Sequence, residues 1–468
     1  MGESREMRQI NSREYNRFLT CLFNRALIRF ILVGIIASIV GVLLLKGSTI
    51  SLLSLCILPG ILFIVKPFIG IYSMSLIDIL HSYHESEISI RTIILIFILL
   101  MAVITIFYRK KIEGIKSIKN IMIVVSAFLI WIVIVDYLII RFPLDSFYKT
   151  AAWIFVPVLI GFTIFYFIND LNKLKIMINI FLIGMFVSAF IGILQFFFGG
   201  LFWQLNIYNK AFKTGTIYGL AAFTYIYSSQ LTSTIPLLFS KYLTAKKRKN
   251  IYLLGVVLMI SALLLTVERS SIYGCLLSLF VCFILITRKK ITFKMVAFFI
   301  LILFSLYIVI NFAGGERLVT AEGSALGRIP LWISSLYIAM DNPLGVGHDK
   351  YKEAVIVHAW KVSHYERGGI VYTTTPHNQF LKVLTNWGLP GLILLILFYY
   401  YLLKKINNIR KSTQNKDFRI LSIGLFCSLL SYIINSVFHN LGPFIGDAFH
   451  WYFIGMSLSL IRISKQYS

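Results

Sequence analysis

Apolar runs of about 17 to 22 residues, separated by short polar connections, recur along nearly the whole chain, and each is long enough to cross a bilayer's hydrocarbon layer as a helix. The pattern predicts spans near 28–45, 50–65, 67–80, 92–108, 119–140, 150–168, 176–198, 217–240, 251–267, 271–287, 295–312, 378–402, 420–438 and 447–462. The second and third are short, so a re-entrant pair or one broken span stays open, and the expected number is twelve to fourteen. One long polar segment, 313–376, breaks the rhythm. It divides the chain into a polar N-terminal segment (1–27), an N-terminal bundle (28–312), a large loop (313–376), C-terminal spans (377–462) and a short tail (463–468). The expected class is an all-α polytopic membrane protein.

Within the loop, Ile329, Trp332, Ile333, Leu336, Tyr337 and Met340 recur at helical spacing, with Ser334 and Ser335 elsewhere on the wheel. That predicts an amphipathic helix over 330–340 lying on the membrane surface, with Pro330 in its first turn. A loop this long on a protein otherwise built of tight connections is more often functional than incidental.

Composition then fixes orientation. The 468 residues are 58% hydrophobic and carry 45 basic against 19 acidic side chains, a formal net charge of +26. In a soluble protein such a balance points to nucleic acid; here position matters more than sum. RKKIEGIKSIK (109–119), KKRK (246–249), RKKITFK (288–294) and KKINNIRK (404–411) fall on one side when the spans are counted as above. By the positive-inside rule that side is the cytoplasm, with both termini inside and the 313–376 loop outside. No cleavable signal is expected from MGESREMRQINSREYNRF, and Glu6 breaks the myristoylation pattern that Met1-Gly2 opens. Cys21, Cys56, Cys275, Cys282 and Cys427 lie in or beside apolar runs without CxxC spacing and read as packing residues.

Chemistry concentrates at three places. In TVERSSIYG (266–274), Glu268 and Arg269 interrupt a long apolar stretch at the turn between two spans; ionisable groups there are expensive, and mark either a site or a local ion pair closing the turn. In GRIPLWISSLYIAMDNPLGVGHDKY, Arg328 stands just ahead of the predicted helix, where the dipole disfavours a cation and an anionic ligand would resolve the conflict; a solvated loop arginine is the alternative. In TTTPHNQFLKVLTNWGLPGL (373–392), Pro376 suits the first turn of the following span, which puts His377 in that turn and keeps its imidazole neutral, as a general base requires. Asn378 would orient it or bind substrate, although a capping histidine without chemistry fits the same residues. Gly388 and Gly391, near Pro390, predict close helix packing with a bend.

Weaker candidates are Lys210 and Lys213 in NKAFKTGT, as guides for an anion, against a snorkelling alternative. Asp136 is expected to pair with Arg141, and Asp78 to mark a helix end, both structural. His348, His358 and His364 are scattered without carboxylates at ligand spacing, and no acidic pair stands outside to hold magnesium, so no metal is expected. Neither a Walker loop nor GxGxxG appears, which argues against a nucleotide cofactor.

The order TVERSSIYG, then GRIPLWISSLYIAMDNPLGVGHDKY, then PHNQFLKVLTNWGLPGL resembles the O-antigen ligase and Wzy-type polymerase superfamily, over roughly residues 180 to 440. The resemblance implies a GT-C-type membrane glycosyltransferase of the bacterial inner membrane. It would take a glycan from an undecaprenyl-diphosphate-linked oligosaccharide donor at the outer face, without metal or other cofactor. The acceptor would be a sugar hydroxyl, on a lipid-linked repeat unit (polymerase, favoured) or on the lipid A core (ligase). Membrane lipids and a chain-length regulator are the other partners implied, with no nucleic acid. Carried over residue by residue, Arg269 and Arg328 become diphosphate ligands, His377 the base, and Arg317 a further arginine of the site. Glu268 stands where a serine is common, and NKAFKTGTIYGLAAF lacks the family's Arg and Asn-Pro-Asn-like run; both departures fall on the acceptor side. From a different class, a polysaccharide flippase also has about fourteen spans, but no pair of related halves with mid-membrane charges is visible. A relative of the SEDS-type peptidoglycan polymerases would need an external acidic residue that has no clear counterpart here.

Overall fold

The computed structural model describes residues 71–72, 114–142, 150–198, 217–221, 224–288, 292–297, 299–301, 304–305, 325–348, 350–358 and 375–466. All regular structure among them is helical: α1 (Ile115–Val133), α2 (Val156–Phe167), α3 (Leu171–Phe198), α4 (Thr224–Thr244), α5 (Lys249–Leu265), α6 (Arg269–Thr287), α7 (Ala325–Asp341), α8 (Tyr351–His358), α9 (Gln379–Ser412), α10 (Lys416–Ser436) and α11 (Ala448–Ser464). Wider turns extend α1 through Ile134–Ile139 and lead into α2 from Ala151–Phe155. Five of these segments are long and apolar enough to cross a bilayer: Ile115–Ile139, Leu171–Phe198, Arg269–Thr287, Gln379–Ser412 and Lys416–Ser436. The protein is a helical membrane protein. The runs before residue 114 lie almost entirely outside the described residues, so the expected total of twelve to fourteen and the GT-C architecture rest on the sequence.

Small hydroxyl residues bring α4, α6 and α10 together. Thr232 Oγ1 donates to Ser271 O at 2.8 Å and lies 3.0 Å from Ser431 Oγ. Ser271 Oγ donates to Asn435 Oδ1 at 2.8 Å and is 2.9 Å from Ser228 Oγ. In an apolar solvent such short side chains allow close backbone approach and satisfy one another across the interface. Glycine does the same between α2 and α11, where a Cβ on Gly455 would lie 2.8 Å from Gly161 O.

Three boundaries differ from the sequence expectation. The run expected to begin at 217 becomes helical only at Thr224. Gln195 of α3 instead caps the preceding turn, accepting from Gly219 N at 2.9 Å and donating to Gly219 O at 2.7 Å. Helix α7 starts a turn earlier than predicted, so Pro330 lies inside it and Arg328 in its first turn, not ahead of it. Its apolar Ile329, Ile333, Leu336 and Met340 face outward, while Ser334 and Ser335 are buried together with Leu331 and Ile338. Finally, α9 begins at Gln379, so Pro376 and His377 precede it.

Candidate functional site

The N-termini of α6 and α9 and the C-terminal end of α10 meet at one end of the bundle. Val267 takes a left-handed φ of 58°, Thr266 Oγ1 accepts from Glu268 N at 3.3 Å, and Glu268 becomes the residue before α6 with Arg269 its first. This turn presents both charged side chains half-buried. At α9, Asn378 Oδ1 accepts from Phe380 N (2.9 Å) and Leu381 N (3.1 Å), satisfying two of the free amide groups at a helix start. The oxygen of Asn378 is thereby committed to capping. His377 sits outside the helix with φ 52°.

Helix α7 is fastened to this end twice. Trp332 Nε1 donates to Pro376 O at 3.1 Å, fixing α7 beside His377. Arg328, one turn earlier on the same face, is carried to the same place. The second fastening is a break in α9. Trp387 and Gly388 leave helical geometry, and the Pro343–Gly347 segment fills the opened turn: Val346 N donates to Thr385 O (2.9 Å), Gly347 N to Asn386 O (2.8 Å) and Leu389 N to Pro343 O (3.0 Å). Trp131 Nε1 donates to Trp387 O at 2.7 Å. Gly388 was read as a close-packing glycine with a bend; it is the hinge of this junction, with φ 66°. Asp136, expected beside Arg141, accepts from His348 N at 2.9 Å and anchors the end of the same segment.

Electrostatics join the pieces. Burial, then the charges of Arg328 and Lys382, pull His377 down to about 4; this, more than a helix dipole, keeps its imidazole neutral. Burial also lowers Arg328, with Glu268 opposing and Arg269 adding to the effect. Arg328 therefore lies within electrostatic reach of Glu268, Arg269 and His377. His439 joins them: its Nε2 is 2.8 Å from Ser270 Oγ and 3.7 Å from Glu268 Oε2, its ring stacks on Tyr225 at 6.0 Å, and burial, Arg328 and His377 depress it to about 3. Asn440 reaches His377, Nδ2 to Nδ1 at 3.5 Å.

His439, Asn440, Ser270 and Lys382 were not singled out from sequence. A second His-Asn pair in VFHNLGP, at the polar end of the 420–438 run, was the available signal. Lys210, Lys213, Arg317, Asp78 and His364 lie outside the described residues. His358 is engaged elsewhere, with Asp341 Oδ2 at 2.7 Å. Among the described residues no group of three His, Cys, Asp or Glu is placed to hold a metal ion.

Residues 254–396 match the family model described as O-antigen ligase. The resemblance read from the three motifs is borne out over that segment, which runs from α5 into α9 and takes in Glu268, Arg269, Arg328, His377 and Asn378. His439 and Asn440 fall beyond the matched residues. The comparison with curated proteins gave no match.

Proposed function

We propose that the protein is a membrane glycosyltransferase that moves a glycan from undecaprenyl diphosphate to an acceptor sugar hydroxyl on the extracytoplasmic face, polymerising lipid-linked repeat units. The O-antigen ligase match supports a role as an enzyme of glycan assembly. The observation that carries the reading is that, among the described residues, Arg328 and Lys382 act on a neutral His377 while Arg269 and the carboxylate of Glu268 act on Arg328. Such a patch is net cationic and suits a diphosphate, and arginine serves it in place of a metal. In the reaction the acceptor oxygen bonds to the anomeric carbon while the bond from that carbon to the diphosphate oxygen breaks. The leaving diphosphate keeps the electron pair, offset by the two guanidiniums, and His377 takes the hydroxyl proton. In-line attack inverts the anomeric carbon, and the stored energy of the donor removes any need for a nucleotide.

The family description favours a ligase as the second reading. Purified protein given lipid-linked repeat units, with and without a lipopolysaccharide core, separates the two. Chain extension supports the polymerase, transfer to core the ligase. Neither product, with lipid-linked glycan moved across vesicles, would replace both with a transporter.

A further inference from the structure

We infer that Asn440 orients His377: its carboxamide oxygen accepts from Nδ1–H and leaves the Nε2 lone pair free to take the acceptor's proton. The inference rests on the proposed role of His377 and names the residue that makes that role workable.

A neutral imidazole is a base at one nitrogen only, and which one depends on where the other's proton is held. Asn378, the sequence neighbour, is not available, because its oxygen already takes two backbone N–H groups at the start of α9. The polar group that lies against Nδ1 comes from 63 residues further on, Asn440, just past the end of α10. Its Nδ2 faces Nδ1 at 3.5 Å, while its Oδ1 is buried with no hydrogen-bond partner among the described residues. In that orientation an amide donor would occupy Nδ1, put the ring proton on Nε2, and leave no lone pair for substrate. The two ends of a carboxamide have nearly the same shape, and their assignment follows the network around them. Turning the amide over gives up the 3.5 Å N···N contact and costs Oδ1 no bond, while Nδ2 moves to the side that Oδ1 held. It then places an acceptor opposite Nδ1–H.

An amide suits this place better than a carboxylate. A carboxylate would also hold Nδ1–H, but it would favour the imidazolium, which cannot accept a proton. The groups facing the ring are Arg328 from α7, Lys382 from α9 and His439 beside Asn440, with Glu268 and Arg269 of the α6 turn acting on Arg328. Their balance is cationic, and a neutral partner preserves it.

The test uses full-length protein labelled with ¹⁵N-histidine in lipid nanodiscs, its His377 signal assigned by loss in His377→Gln. The wild type is expected to show the Nδ1–H tautomer. Asn440→Ala is expected to lose that preference and to lower kcat by roughly tenfold to a hundredfold, the range found when a partner orienting a functional histidine is removed, with donor KM nearly unchanged. Asn440→Asp is expected to restore the tautomer and move the acid limb of the rate profile to higher pH, a shift that a purely structural role would not produce. An Nε2–H ring in the wild type, or an Asn440→Ala protein with unaltered tautomer and pH profile, overturns the assignment. An Nδ1–H ring in a protein that transfers no glycan would support Asn440 and sink the glycosyltransferase reading instead.

Discussion

Gly388 lies directly against the carbonyl of Pro343: a Cβ built on it would fall 2.2 Å from that oxygen, and a Cβ on Gly345 would fall 2.3 Å from Asn386 O. Both glycines have positive φ, 66° and 101°. The Pro-Leu-Gly-Val-Gly motif and the broken turn of α9 are therefore two halves of one joint, and the joint leads from α7, which carries Arg328. Replacing either glycine with alanine combines left-handed strain with a backbone clash, an expected cost of about 1–3 kcal/mol from the strain alone. Gly345→Ala and Gly388→Ala should each lower the thermal unfolding midpoint and reduce glycan transfer, although neither touches the reacting groups. A variant with wild-type stability and turnover would show that the joint does not position α7.

Arg328 and Arg269 differ in surroundings, and their losses should differ accordingly. Arg328 is buried enough for its charge to be disfavoured, so it has few water molecules to replace it. Arg328→Ala is expected to cut turnover by roughly 10²–10³, as removal of one preorganised donor at a developing anion does. His377→Ala is expected to cost on the order of 10²–10⁴. Arg328→Lys should recover only part, because an ammonium cannot span two phosphate oxygens as a guanidinium does. Turnover of purified Arg328→Ala within twofold of wild type would remove the residue from the mechanism.

Much of this arrangement was legible in the chain, and the exceptions share a cause. Hydropathy located the apolar runs, and the odd placement of Glu268, Arg269, Arg328 and His377 against membrane chemistry marked them out. Each signal is local: a charge where its immediate neighbours are apolar. What escaped was pairing at a distance. Asn378 looked like the partner of His377 because it adjoins it, but adjacency at a helix start favours capping, and the residue at the ring is Asn440. Gly388 looked like a packing glycine because glycine spacing cannot show that another segment enters the helix there. Asp136 looked like the mate of Arg141 for the same reason, whereas its oxygen takes a backbone N–H more than two hundred residues away. The apolar stripe of α7 was read correctly as a stripe; which side the protein occupies follows from the buried serines, and periodicity alone carries no such direction.

Glu268 occupies a position where the resembling family commonly has serine, and its carboxylate favours the charged state of Arg328. A carboxylate close to a phosphate-binding guanidinium competes with the phosphate. Glu268→Gln is therefore expected to lower the donor KM by roughly fivefold, equivalent to about 1 kcal/mol, and to do so less at high salt because the Glu268 carboxylate is partly exposed. Initial rates against donor concentration at two ionic strengths measure this. A raised KM would mean instead that Glu268 holds Arg328 in place, through the contact with His439 or directly.

Two histidines kept neutral inside the site make stability depend on pH in a definite direction. Their ordinary value is 6.5, and the folded protein pulls His377 to about 4 and His439 to about 3. Above 6.5 neither state binds these protons and the folded protein loses nothing. As pH falls below 6.5 the unfolded chain takes them up while the folded one does not, so the balance moves toward unfolding until pH approaches the folded values. The unfolding midpoint in lipid nanodiscs should therefore fall steadily between about pH 6.5 and pH 4. His439→Gln should flatten the slope, because the buried imidazole with the larger depression is gone. His377→Gln should flatten it less. Bound polyprenyl diphosphate should flatten it too, since its charge offsets the Arg328 field that acts on both rings. A midpoint indifferent to pH in the unliganded wild type would mean that both imidazoles titrate in the folded protein as they do in the unfolded chain, and that the site does not hold His377 neutral below pH 6.5.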